Sequence, residues 1–353
     1  MASDLALSEV SSPTHLHLSA LNQRILRQDE ASSLPSPELK KENIAVENRW
    51  AIASCLIIFS FAGVLIRLGL VHLHTYEGSP VFPLICAQFV GCAIMGAVRA
   101  CENRIIRRSY ALYVGLSTGL CGSITTFSSW QFGMFTELAN MDGYSRGGFQ
   151  SFLAFLAHIC ITLGMSLAGL LFGDELVDIL LPSNDDDIPI KAVKAKKTSQ
   201  LDLLAISGGV VLWTGMALLA GFVSSGRAWS LPLVMAPLGT LFRWVLALSL
   251  NNRYPIPLGT LVANILGTAL LAAFIISRPA MPPSCEISSG LIDGFCGCLT
   301  TISTFIVEIT TLPRNFSCIY AVSSIVIGQV LMIVIVGGFF WSGHTPVLNC
   351  NVP

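Results

Sequence analysis

Only 12% of this 353-residue chain is charged, against about 25% in soluble proteins, while 53% is hydrophobic and the formal net charge is −1. Water is therefore not its main solvent, and without a basic stripe there is no footprint for nucleic acid. Most of the eleven cysteines fall inside apolar runs as small hydrophobes, implying no disulfide framework, and Cys296 and Cys298 lack the spacing of a zinc site.

Residues 1–49 are polar, contain Ser and Pro and mix both signs of charge, which reads as a disordered cytosolic tail and not a secretory leader. Nine apolar runs follow: Trp50 to His72, Val81 to Arg99, Tyr110 to Phe135, Phe149 to Phe172, Leu201 to Val223, Leu231 to Leu250, Leu258 to Ile276, Ser289 to Leu312 and Cys318 to Trp341. Each is near the ~20 residues a spanning helix needs. Because a bilayer offers no partner to backbone N–H and C=O groups, these runs are predicted to be helices. The fold class is thus an all-α polytopic membrane protein with nine transmembrane helices.

Orientation follows from Lys and Arg. With the first end inside, fifteen of the twenty lie in inner segments and three, Arg146, Arg227 and Arg278, in outer ones, while Arg67 and Arg243 fall within spans. The N-terminus is expected in the cytosol and the C-terminal segment, 342–353, outside. Residues 174–200, with Asp185-Asp186-Asp187 and four lysines, read as a solvated cytosolic loop.

The first four spans repeat in the last four. Gly63-x-x-x-Arg67 matches Gly239-x-x-x-Arg243, and Ala87-Gln88-Phe89-Val90-Gly91 matches Ala263-Asn264-Ile265-Leu266-Gly267. The third spans match from Gly119 to Trp130 and from Gly294 to Phe305, sharing Gly-x-Cys-Gly-x-x-Thr-Thr-x-Ser, at a constant separation of 175 or 176 residues. This defines a first four-helix unit at 50–173 and a second at 224–341. The run 201–223 between them, whose one charged residue is Asp202 at its start, is a linker transmembrane helix that turns the second unit over, giving two inverted repeats. Inverted repeats place the permeant site near the midplane, at the repeat interface.

Two glycines and two β-branched hydroxyl residues in mid-span predict a broken third helix. Broken backbone at membrane depth survives when buried or lining a polar cavity, and two inverted breaks would bring freed carbonyls together as hard ligands for a small cation. Close helix packing through small residues is the competing account. Arg67 and Arg243, costly at this depth, serve either an anion at a pore mouth or a structural pairing with carbonyls. Lone His158 reads as a packing residue.

These motifs, over roughly Trp50 to Trp341, resemble the CrcB/Fluc fluoride channel family, and the two-copy form with a linker is similar to its eukaryotic members, the FEX fluoride exporters. The resemblance implies a fluoride-selective channel, a non-enzyme, exporting cytosolic fluoride passively across the plasma membrane as a single chain. It implies a structural sodium ion held by carbonyls of Gly122, Thr125, Gly297 and Thr300, a vestibule with Arg67 and Arg243, and a pore lined by Asn264, Phe127, Phe305, Thr301, Tyr320 and Ser324. The copies differ in places: Gln88 stands for the second-helix Asn, Trp130 and Ile302 replace one motif phenylalanine each, and Leu156 and Cys160 stand for the fourth-helix Tyr and Ser. One working pore and one vestigial pore follow, the latter marked by Gln88, Trp130 and Ile302.

Two other classes compete. A coupled transporter of another solute would want a membrane carboxylate, and the acids near spans, Glu137, Asp174, Glu175, Asp293 and Glu308, lie toward their ends. An intramembrane enzyme needs a nucleophile with a base in reach, and His158 has none at helical spacing.

Overall fold

The computed structural model describes residues 49–181, 200–223, 226–278 and 285–344. The expected tails up to residue 48 and beyond 344, and positions 182–199 of the charged loop, lie outside them. Every regular element among the described residues is helical.

The first unit comprises α1 (Arg49–His74), α2 (Leu84–Ala100), the short α3 (Glu102–Arg108), a segmented third helix, and α7 (Gly148–Leu180). The third helix runs as α4 (Tyr110–Val114), a π-helical stretch Gly115–Cys121, α5 (Gly122–Ile124) and, after a break, α6 (Phe127–Ala139). Following α8 (Gln200–Phe222), the second unit has α9 (Arg227–Leu250) and α10 (Leu258–Ser277). Its own segmented helix is α11 (Cys285–Ser289), a π-helical stretch Gly290–Cys296, α12 (Gly297–Leu299) and α13 (Ser303–Thr311). The unit closes with α14 (Arg314–Met332), which continues through a π-helical turn Ile333–Gly337 into α15 (Gly338–Trp341).

Nine spans were expected. Among the described residues seven helices are long and apolar enough to cross a membrane, or eight if α2 and α3, bent by 72°, form one. The remaining run, Tyr110 to Phe135, is broken and rich in Gly, Ser and Thr. Its centre, Cys121 to Ser128, is buried throughout, so no lipid touches it and nothing requires its side chains to be apolar. The fourth helix overruns its expected end at Phe172 and reaches Leu180, taking the start of the 174–200 segment into the helix.

Glycines set the close contacts. A Cβ at Gly63 would collide with Ser123 and the Leu120 carbonyl, and one at Gly239 with the Phe295 carbonyl, so each unit's first helix touches its own third helix backbone to backbone. Small residues permit this approach where lipid supplies no hydrophobic drive between helices. Gly96, Gly169 and Gly173 do the same for α2 against α7. The linker α8 rests against α1 and α9, tied by Trp213 Nε1 donating to the Val234 carbonyl at 3.0 Å. It otherwise exposes apolar residues such as Leu204, Val211 and Phe222.

Candidate functional site at the paired helix breaks

Both third helices break at the Thr-Thr pair. Thr125 (φ −91°, ψ 150°) and Thr300 (φ −96°, ψ 154°) are extended, and helix resumes at Phe127 and Ser303. A helix start leaves N–H groups without intrahelical partners, and here the opposite unit supplies them. Thr125 Oγ1 accepts from the backbone N–H of Ile302 at 3.3 Å and of Ser303 at 3.0 Å. Thr300 Oγ1 accepts from Phe127 N–H at 3.2 Å and Ser128 N–H at 3.1 Å. Each hydroxyl also lies within reach of its own unit's carbonyl one turn earlier, Cys121 or Cys296. Each unit therefore caps the other's helix, and the exchange is reciprocal, as a twofold-related interface demands.

The second threonines are clamped from α2 and α10. Asn264 Nδ2 donates to the Thr301 carbonyl at 3.2 Å while its Oδ1 accepts from Thr301 N–H at 2.9 Å. Gln88 makes the equivalent pair with Thr126 at 2.8 and 3.4 Å. Both amides hold the backbone that the break has taken out of the helical ladder.

The arginines cross over. Arg67 Nη1 donates to the carbonyls of Ser123 (2.8 Å) and Gly297 (2.9 Å), and its Nη2 donates to the Asp293 carbonyl. Arg243 Nη2 donates to the Thr118 carbonyl at 2.7 Å, leaving Nε and Nη1 without partners. A Cβ at Gly122 would strike the Arg243 guanidinium, and one at Gly297 that of Arg67. Both side chains are buried, so the structure favours carbonyl pairing for Arg67 and leaves Arg243 with unused donors.

Oxygen-only donors from Gly122, Thr125, Gly297 and Thr300 suit a hard monovalent ion in kind. The extended backbone at both threonines takes their carbonyls out of the helical ladder, and the Gly297 oxygen, already accepting from Arg67, keeps a second lone pair.

Around the breaks lies a buried aromatic cluster. Phe127 and Phe305, from opposite units, meet edge to face with centroids 5.6 Å apart, and Trp130 stands edge-on to Phe127 at 5.4 Å. Tyr320 tilts against Phe305 at 5.4 Å, and Ile302 belongs to the same cluster. The Tyr320 hydroxyl donates to Glu308 Oε2 and the Thr260 hydroxyl to Glu308 Oε1, both at 2.6 Å, while Ser324 Oγ donates to the Tyr320 carbonyl at 2.6 Å. The sequence reading counts Glu308 only as an acid near a span end and does not pair it with Tyr320. A glutamate three residues past a motif phenylalanine, facing the same way as the fourth-helix tyrosine, was the signal available.

The CrcB model, described as "CrcB-like protein, Camphor Resistance (CrcB)", matches residues 54–173 and again 230–338. The chain belongs to the CrcB family. Among its CrcB relatives, "Fluoride export protein 1" of Candida albicans is 34% identical over 79% of this chain and 77% of its own length. The protein of the same name in Neurospora crassa is 32% identical over 92% and 74%. The "Fluoride-specific ion channel FluC" of Tolumonas auensis is 40% identical over 104 residues, 28% of this chain but 80% of its own, so about one unit of this chain spans most of that protein. No solved structure matches.

One register assignment between the two CrcB units needs correction. Leu156 and Cys160 do not occupy the places of Tyr320 and Ser324, because both are exposed on α7. The buried face of α7 carries His158, Thr162 and Ser166, at the four-residue spacing of Tyr320, Ser324 and Gly328 on α14. His158 thus stands where the second unit has Tyr320. It stacks on Phe82 at 3.7 Å and lies against Gly133, and Gly133 occupies the repeat position of Glu308.

Proposed function

We propose that this chain is a fluoride-selective channel that lets cytosolic fluoride out of the cell passively, through one working pore. The meeting of Phe127 and Phe305 from opposite units, beside Tyr320, Ser324, Asn264 and Thr301, carries the reading, in a family whose curated relatives are named for fluoride export. Aromatic ring edges are electropositive and can flank a small anion without holding it tightly. Hydroxyl and amide donors replace part of its hydration shell. These donors are engaged within the protein: Tyr320 with Glu308, Ser324 with its own helix, Asn264 with Thr301. An entering anion exchanges bonds already made, which keeps binding weak enough for exit, as conduction requires.

An inside-negative potential drives an anion outward by ~2.3 kcal/mol per charge per 100 mV. Export therefore needs no second substrate, and family membership disfavours both the coupled transporter and the intramembrane enzyme. The plasma membrane, a cytosolic N-terminus, an extracellular C-terminal segment, function as a single chain, and a sodium ion on the four break carbonyls that neutralises their converging dipoles complete the proposal. The test reconstitutes purified protein in liposomes loaded with fluoride or chloride and follows efflux by electrode after a potassium ionophore is added. Fluoride loss with chloride retained, abolished by Phe305→Ala, is expected. No fluoride efflux from folded protein, or equal efflux of both anions, refutes it.

A further inference from the structure

Along α14 the buried face beside the proposed pore runs Tyr320, Ser324, Gly328 at four-residue spacing, and at the third step the helix has no side chain to offer. The opposite unit supplies one. Gln131, on α6 and fully buried, lays its side chain over Gly328, where a Cβ would come within 2.7 Å of Gln131 Cδ and 2.8 Å of its Nε2. Residues four apart share a helix face, so Gln131 stands one turn past Phe127 just as Gly328 stands one turn past Ser324. The next turn of both helices brings Phe135 and Met332 into a wholly apolar cluster. Gln131 is therefore the last polar side chain on these two faces.

Its backbone is tied down, while its amide is barely used. Gln329 Nε2 donates to the Gln131 carbonyl at 2.9 Å and fastens α14 to α6 at this turn. The Gln131 side chain makes one bond of its own, from Nε2 to the Ile325 carbonyl at a long 3.4 Å, and its Oε1 has no partner among the described residues. A side-chain amide carries two N–H donors and an oxygen acceptor, so one N–H and the oxygen stand idle. Idle buried polar groups are costly, and here the protein supplies no partner.

The first unit is arranged the other way round. By the register that sets His158 against Tyr320, Gly328 corresponds to Ser166 on α7, and by the 175-residue repeat Gln131 corresponds to Ile306 on α13. There the fourth helix carries the polar group and the opposite unit's third helix an apolar one. Beside the pore the fourth helix carries none and the opposite unit a longer one. A branched apolar side chain like that of Ile306 would fill the space over Gly328 as well as a glutamine, so filling space does not account for the amide.

We propose that Gln131 is a pore-lining residue contributed by the opposite unit, whose Nε2 donates to the permeating fluoride at the level where α14 has only Gly328. Turning the amide about its last bond aims the free N–H at the ion, in place of one water of its shell. The group is neutral, so it helps the ion shed water without holding it, as conduction requires. This assignment rests on the fluoride-channel reading above.

The experiment follows fluoride efflux from liposomes for Gln131→Met, which keeps length and volume and removes the N–H, and for Gln131→Ala with and without Gly328→Ser, which returns a hydroxyl to α14. Gln131→Met is expected to slow efflux about tenfold, the scale of one hydrogen bond to a charged group. Gln131→Ala should be slow as well, and Gly328→Ser on that background should recover most of the rate. Ile306→Val, at the repeat position, should pass fluoride as the wild type does. Unchanged efflux in Gln131→Met overturns the assignment, and so does a loss that Gly328→Ser leaves unrescued, because a packing role behaves that way. If Gln131→Met fails to fold, the alanine variant and its rescue decide alone. Wild-type protein that passes no fluoride refutes the channel reading itself and this assignment with it, whereas a conducting wild type with an indifferent Gln131 refutes the assignment alone.

Discussion

Replacing Thr300 by valine removes one hydroxyl and almost no volume, and the structure says what is lost. Thr300 Oγ1 accepts from Phe127 N–H and Ser128 N–H across the unit interface, and it is within 3.0 Å of both Thr126 Oγ1 and Ser128 Oγ. Loss of a helix cap costs about 1 kcal/mol, and each N–H left buried and unpaired about 1–3 kcal/mol. Neighbouring hydroxyls recover part of this, so a net loss of roughly 2–5 kcal/mol is expected under the same costs. At about 2–4 °C per kcal/mol for a domain of this size, the melting temperature in detergent should fall by roughly 4–20 °C. Thr300→Ser keeps the hydroxyl and should stay near the wild type. Thr310→Val, at an exposed hydroxyl bonded only to its own helix, should change stability by less than about 0.5 kcal/mol. If Thr300→Val melts with the wild type, or Thr300→Ser falls as far as the valine variant, the cross-unit cap contributes nothing and the account of the break is wrong.

Asn264→Ala and Gln88→Ala each strip two bonds from a clamped threonine, so both should lose about 1–3 kcal/mol in thermal melts. Liposome efflux should separate them, with fluoride flux abolished by the first and retained by the second. Tyr320→Phe and Glu308→Ala break the same pair, so a double-mutant cycle should show a coupling of about 0.5–3 kcal/mol; simple additivity would mean the pair is not an energetic unit. Arg67→Lys gives up a fork that spans three carbonyls, whereas Arg243→Lys gives up one bond. Melting should therefore drop further for Arg67→Lys, and an equal or larger drop for Arg243→Lys would contradict the geometry. Replacing sodium by N-methylglucamine should lower the melting temperature, since an ion bound only by the folded state stabilises it; no change across a sodium titration argues against the carbonyl site.

Much of this was legible before any coordinates. Nine apolar runs, two repeats at constant separation and a break at Gly-x-x-Thr-Thr follow from composition and spacing, because bilayer thickness and backbone satisfaction leave few alternatives. The register of α7 was not legible. That helix is apolar on nearly every face, so periodicity does not tell which side is buried, and alignment by residue type chose Leu156 and Cys160 over His158 and Thr162. Nor could the sequence show that Thr125 and Thr300 use their hydroxyls across the interface, since a cap supplied by a residue some 175 positions away leaves no local signature. The π-helical stretches before both breaks were hidden for a similar reason: their glycines meet neighbouring helices, as Gly294 meets the Pro232 carbonyl, and only assembly reveals the contact.

The two copies agree where hydrogen bonds at the helix breaks and arginine contacts cross between the units; they differ at the aromatic contact that crosses there, Phe127 with Phe305, at Gln131 over Gly328, and where each lines its own path. Gly122 and Gly297, Thr125 and Thr300, Ser128 and Ser303, Arg67 and Arg243 are identical pairs, and each member touches the opposite unit or the residue that does. A change in one member would uncap or uncouple the other unit's helix, so neither can change alone without a cost of the size worked out for Thr300. Gln88 and Asn264, Trp130 and Phe305, Gly133 and Glu308, His158 and Tyr320 form no such reciprocal pair. In a dimer of identical chains every substitution appears twice and would alter both paths together. Joining the units in one chain removes that constraint, so one path can lose its carboxylate and its tyrosine while the other keeps both. The shared breaks then hold a single scaffold around two unlike interiors.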